Sequence, residues 1–254
     1  MKSRFLVAAL GLLAAGAACA DSLLDRVQSG GPLRVCTTGD YKPYSFAKGD
    51  GAYEGIDIDL TNSLARSLDA KVAWVKTSWS TLMADFGAGK CDLAVGGVSV
   101  TLERQKKAGF SAAYMIDGKT PITRCENAAK FQTLDQIDRP DVRVVVNPGG
   151  TNERFAKAHL KHAQLTVYPD NVTIFQQLVD GKADLMITDA SETLLQHKLH
   201  PELCSVHPDR PFQYGEKAFL LPRDDEPFRA YVDQWLHLAV ATGEFARIRD
   251  AWLK

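Results

Sequence analysis

The sequence predicts an α/β protein of two similarly built lobes with mostly parallel sheets, joined by a two-strand hinge. Three observations carry this. Apolar strand-like runs alternate with amphipathic helical stretches along most of the chain. The alternation occurs twice, and "GKCDLAVGGVS" (89–99) and "GKADLMITDAS" (181–191) share G-K-x-D-L at the same point of both halves. The length of 254 residues suits one large domain or two small ones, at ~100–200 residues each.

In the first half, "LRVCT" (33–37) reads as a strand. The stretch 55–70 carries Ile56, Ile58, Leu60, Leu64 and Leu68 at mostly helical spacing. "KVAWVKT" (71–77) alternates as a strand does, 80–90 reads as a helix ended by glycine, and "CDLAVGG" (91–97) is again a strand. The second half repeats the order. Strands are expected at 142–147, 165–169 and 183–189, with helices at 151–161 and 171–182 between them. "KAFLLP" (217–222) is expected to return to the first lobe as a strand, before helices at 228–243 and 244–254. The chain then crosses between lobes twice, near 119–125 and 213–221.

The first 20 residues stand apart. Lys2 and Arg4 precede an apolar run at 5–18, and Ala18-Cys19-Ala20 is a small-residue cleavage signal. This reads as a secretory leader, because the apolar run is short of the ~20 residues a spanning helix needs. The expected division is a leader at 1–20, a first lobe of 21–121 with 219–254, and a second lobe of 122–218. Without its leader the chain carries 28 basic and 31 acidic residues, a net charge of −3. With no long basic run, that balance argues against nucleic acid or anionic lipid as a partner. No later segment is apolar enough to span a membrane. Export permits disulfides. Cys125 and Cys204 flank the middle segment and are the expected pair, while Cys36 and Cys91 lie in strand-like runs and are expected as buried thiols. No C-x-x-C is present, and His197 and His200 sit on a polar stretch, so no metal site is expected.

In open α/β sheets ligands bind beyond the carboxyl ends of the strands, so the two echoed strand ends are expected to face one cleft. In "GGVSVTLER" (96–104), Gly97 allows close backbone approach, Ser99 offers a hydroxyl, and Arg104 offers a planar fork suited to a carboxylate. The same string can equally be a capped helix start with a surface arginine. In "NPGGTNE" (147–153), Thr151 and Asn152 open a helix whose free N–H groups favour an anion, or Thr151 and Glu153 form an ordinary cap. Tyr41 and Trp79 follow the first two strands and can grip a ring or an aliphatic stem, or pack on the lobe surface. Asp189 ends its strand directly and can hold an ammonium group, with Glu192 three residues on. Asp189 and Glu192 also fit a capping box, and the residues alone do not separate the two readings.

Over 33–254 the layout resembles the bacterial periplasmic solute-binding proteins of the polar amino-acid class, a periplasmic-binding-protein-like (type II) fold. The resemblance implies two lobes closing on a small molecule. It implies Tyr41 and Trp79 as aromatic contacts, Ser99 and Arg104 on an α-carboxylate, Thr151 as the second lobe's carboxylate contact, and Asp189 as acceptor for an α-amino group. The strings "TTGDYKP", "DGKTPIT", "NPGGTNE", "PDNVTIFQQ", "DGKADLM", "LHPELC" and "YVDQWLH" are similar to those of the cyclohexadienyl dehydratases, periplasmic enzymes built on the same fold. That likeness implies prephenate or arogenate as substrate, and phenylpyruvate or phenylalanine as product, with CO2 and water. It implies Glu192 as the general acid, and neither metal nor organic cofactor. The alternative is a non-catalytic amino-acid binding protein serving an ABC transporter, which has no evident need of an acid at position 192.

Overall fold

The computed structural model describes residues 22–254, and the expected leader lies outside them. Leu33–Thr37 lies second from one edge of a five-stranded sheet. It pairs in parallel with Val72–Lys76 and Leu93–Ala94. Leu220–Leu221 then adds antiparallel to Leu93–Ala94, and Gly109–Phe110 antiparallel to Leu220–Leu221. In the six-stranded second sheet, Arg143–Val146 pairs in parallel with Gln164–Val167 and Leu185–Asp189. Met115–Arg124 lies antiparallel to Leu185–Asp189, Leu203–Ser205 and Gln213–Lys217.

The sheets are therefore mixed, where mostly parallel sheets were expected. The hinge is the reason. The chain enters the second sheet along Met115–Arg124 and leaves along Gln213–Lys217. Two strands that cross the same gap in opposite directions can pair only antiparallel.

The cores follow from the apolar pattern. Ile56–Ser67 buries Ile56, Leu60 and Leu64, a stripe at four-residue spacing, against Leu33 and Val35. Glu226–Ala241 starts at Asp225, whose carboxylate accepts from Phe228 N at 3.1 Å, with Pro227 in its first turn. It returns Phe228, Val232 and Trp235 to that same core. In Leu185–Asp189, Leu185 and Ile187 enter one cluster and Met186 the opposite one, as expected of a continuous apolar strand covered on both faces. Each is fully buried, a contribution of about 1.5–3 kcal/mol per side chain, and together they fix the strand end that carries Asp189.

The repeated G-K-x-D-L has one structural meaning. Asp92 accepts from the backbone N–H of Arg34 at 2.7 Å and from its guanidinium at 2.6 Å. Asp184 does the same for Arg143, at 2.8 and 2.6 Å. In both lobes this aspartate pins the start of the neighbouring parallel strand, which sets the register of the strand ends.

Cys125 and Cys204 form a disulfide with Cα atoms 4.7 Å apart. Cys36 and Cys91, expected as thiols, are also joined, with Cα atoms 5.6 Å apart. The pairing of Leu33–Thr37 beside Leu93–Ala94 brings them together, and strand register is not visible in the spacing of two cysteines. His197 lies beside the Cys125 and Cys204 sulfurs, but these are bonded to one another and His197 Nδ1 lies 2.5 Å from Leu203 O. We expect none of these four cysteines to react with a thiol reagent in denaturant without reductant. Replacing Cys36 and Cys91 together by alanine should lower stability to urea by about 2–4 kcal/mol. Two reactive thiols in the unreduced protein would count against the Cys36–Cys91 bond.

Candidate active site

The loops that leave the carboxyl ends of both sheets meet between the lobes. Tyr41 is stacked on Tyr44 with ring centroids 5.4 Å apart, and meets Trp79 edge-on at 5.5 Å. Its hydroxyl crosses to the second lobe and donates to Asp189 Oδ2 at 2.5 Å. Gly97 makes room for this tyrosine pair. Its φ is +73°, and a Cβ there would lie 2.5 Å from Tyr44 and 2.6 Å from Tyr41. Its N–H donates to the buried carboxylate of Asp57 at 2.8 Å.

Asp189 is held by two lysines that the sequence reading does not anticipate. Lys119 Nζ lies 2.6 Å from Oδ1 and Lys217 Nζ 2.6 Å from Oδ2. Lys119 comes from the hinge strand and is the direct cross-strand partner of Asp189. It also donates to Thr151 Oγ1 at 2.9 Å and to Asn152 Oδ1. Lys217, at the end of the returning strand, donates to Gly97 O and Ser99 Oγ, both at 3.1 Å. Tyr41, Gly97, Ser99, Thr151, Asn152 and Asp189 thus share one network around two buried ammonium groups. The only sequence signal for these lysines is their position against apolar runs, in "KTPI" and "KAFLL", where a solvated lysine is out of place.

The capping alternatives resolve individually. Asp189 precedes helix Ala190–Leu199 but makes no side-chain cap bond, because both oxygens are engaged elsewhere. Thr151 does not cap its helix. Gly150 stands at the cap position, and Glu153 accepts from Gly149 N at 2.6 Å. Thr101 does cap the helix at Leu102–Gln105, accepting from Arg104 N at 3.2 Å. Arg104 itself is buried, not on the surface. Its Nη1 donates to Ser99 O at 2.8 Å, while its Nε finds no partner. Burial, then the nearby Arg154, pulls its pKa down to about 10, so it stays charged at neutral pH.

Glu192 is 1% exposed. Its Oε2 accepts from Thr188 Oγ1 at 2.5 Å, and Thr188 Oγ1 accepts from Asn152 Nδ2 at 2.9 Å. Burial raises its pKa to about 8, the charge of Asp189 adds to the rise, and the Thr188 bond opposes it. Burial also works to raise Asp189, but Lys119 and Lys217 outweigh it and hold that carboxyl well below the usual range. Two carboxyl groups three residues apart therefore take opposite states at pH 7, one neutral and one ionised.

The lobes are shut. The gap bordered by Tyr41, Trp79, Ser99, Thr151, Asn152 and Asp189 is about 20 Å³, room for a water molecule and no more. A cavity of about 220 Å³ adjoins it, sharing Ser99, Thr151 and Asp189. Glu192 borders another of about 130 Å³, with Asp40, Asn171 and Gln196. Contacts between the lobes hold this arrangement. Asn171 Nδ2 donates to Asp40 O at 2.9 Å, and Gly149 packs so closely on Ser80 that a Cβ would lie 2.2 Å from Ser80 Oγ.

The chain is 57% identical, over 98% of its length and 92% of the relative's, to a cyclohexadienyl dehydratase of Pseudomonas aeruginosa. It is 27% identical to the L-cystine-binding protein TcyJ of Escherichia coli, over 91% of this chain and 86% of that one. Among solved structures, an ancestral amino acid-binding protein described as a precursor of cyclohexadienyl dehydratase shares 35% identity at a TM-score of 0.84, over 92% of this chain and 100% of that one. An ancestral cyclohexadienyl dehydratase shares 53% identity at a TM-score of 0.59, over 92% and 97%. Residues 33–254 match the bacterial extracellular solute-binding proteins, family 3, along both lobes and the hinge between them. The chain belongs to that family.

Proposed function

We propose that the chain is an exported cyclohexadienyl dehydratase, a carbon–oxygen lyase that converts prephenate to phenylpyruvate and arogenate to phenylalanine. The observation that carries this reading is Glu192, a buried carboxylic acid kept neutral at pH 7 beside an ionised aspartate. Its identity to a curated cyclohexadienyl dehydratase supports the same reading. A protein that only binds and releases an amino acid has no use for such an acid.

The chemistry asks for a proton and for orientation. Prephenate carries a ring carboxylate para to a hydroxyl. The C–C bond to that carboxylate breaks, and its electron pair moves through the diene and expels the hydroxyl as the ring becomes aromatic. Glu192 supplies the proton with which the oxygen leaves as water, and solvent restores it after each turnover. Asp189 acts through its charge. Prephenate has no ammonium group, and the ammonium groups that Asp189 holds are those of Lys119 and Lys217. Two lysines against one carboxylate leave this triad net positive, which suits a dianion. Ser99, Arg104, Thr151 and Asn152 orient the substrate, with Tyr41 and Trp79 against its ring.

Glu192→Gln should keep the fold and prephenate binding and lose about 10²–10⁴-fold in turnover, followed through phenylpyruvate absorbance in alkali. Full activity in that variant would place the acid elsewhere. Because the acid form is the active one, kcat/KM should be level through neutrality and fall about tenfold per pH unit above about 8. The same group makes stability decline as pH rises between its unfolded and folded pKa values, and Glu192→Gln should remove that slope. A level rate profile to pH 10 would exclude Glu192 as the proton donor. Asp189→Asn should move the alkaline limb to lower pH, since the charge that helps keep Glu192 protonated is gone. It should also cost about 3–5 kcal/mol of stability, because two buried ammonium groups lose their partner. An unmoved limb would make Asp189 a purely structural residue.

A further inference from the structure

Beside the narrow gap lies a cavity of about 140 Å³ bordered by Trp79, Ser80, Glu103, Arg104, Lys107 and Arg154. It is strongly basic, with three cations against one carboxylate. The two guanidinium groups come from opposite lobes. Arg104 lies on the short helix Leu102–Gln105 of the first lobe, and Arg154 in the first turn of Thr151–His159 of the second. Arg104 is nearly fully buried and its Nε has no partner. Among the described residues the Arg154 guanidinium and the Lys107 ammonium make no side-chain hydrogen bond or ion pair. Arg154 also borders the 220 Å³ cavity that reaches Ser99, Thr151 and Asp189, so the basic cavity continues into the cleft. Closing the lobes brings like charges together in a partly dry space, where their repulsion is weakly screened. An anion between them turns that repulsion into attraction from both sides.

We propose that Arg154 joins Arg104 across the cleft in a clamp on the substrate's side-chain carboxylate, the one that survives the reaction. The inference rests on the dehydratase reading and adds a substrate-binding residue to it. The ring carboxylate is the poorer candidate for such a grip. A clamp that stabilises a departing carboxylate in the ground state deepens the well from which the reaction must climb, whereas a grip on a retained group is uniform through the reaction.

The test is Arg154→Gln, with Arg154→Lys as the charge-keeping control. Arg154 is exposed and unbonded, so the fold should be unaffected, which urea unfolding checks. We expect KM for prephenate to rise about tenfold with kcat within about twofold, the mark of lost uniform binding. The inhibition constant of phenylpyruvate should rise by the same factor, because product keeps the clamped carboxylate. The salt dependence of kcat/KM should weaken, and Arg154→Lys should recover part of the loss. A raised KM with an unchanged phenylpyruvate constant would mean that Arg154 meets the ring carboxylate, and would overturn the assignment. Unchanged KM and salt dependence would make Arg154 a bystander while leaving the dehydratase intact. Absence of prephenate turnover by the wild type, together with absence of prephenate binding by Glu192→Gln, would remove the functional reading and this clamp with it.

Discussion

Asp189, gripped between Lys119 and Lys217, is the interaction on which the site depends. Three buried charges are expensive to desolvate, several kcal/mol per ion, and persist only where geometry and further hydrogen bonds compensate. Here they do. Each lysine sits 2.6 Å from its own carboxylate oxygen and spends its remaining protons on Thr151, Asn152, Gly97 and Ser99. The triad also ties together the two strands of the hinge and the strand that ends at Asp189. Tyr41 from the first lobe completes it, so the full set of bonds exists only with the lobes closed.

That arrangement explains how Glu192 keeps its proton. A buried carboxyl near two lysines would ordinarily ionise. Burial is the main reason that it does not, the negative charge of Asp189 adds to the effect, and the Thr188 bond and the two lysines oppose it without prevailing. With the lobes closed Glu192 is 1% exposed, although it borders a cavity of about 130 Å³ with Asp40, Asn171 and Gln196, and this burial disfavours a glutamate anion. The fold is shared with proteins named as amino-acid binders. A hinge that closes, a dry cleft and fixed charges serve binding already. In the function proposed here, the neutral acid Glu192 is what is added to them.

The strand order around the hinge and the second disulfide show where sequence reading runs out. "LMITD" reads as a buried strand because its apolar run is continuous, and both its faces are covered. The repeated "GKxDL" signals two similar lobes because its aspartate does the same local work in each. Mixed sheets and the Cys36–Cys91 bond arise from which strand lies beside which, a matter of long-range pairing. Arg104 shows the same boundary. "SVTLER" announces a helix start, which exists, but the burial of its arginine is set by packing that the string does not show.

The sequence by itself determined the two-lobed α/β architecture, the facing strand ends and the candidate residues Asp189 and Glu192. Those follow from periodicity, glycine placement and short motifs, all of them properties of neighbouring residues. Only the tertiary structure decided what the two carboxyls are. Lys119 lies 70 residues from Asp189 in the chain and Lys217 lies 28 residues away, yet their ammonium groups touch it. A protonation state is set by charges and solvent a few ångströms away in space, so it came into being when the lobes packed.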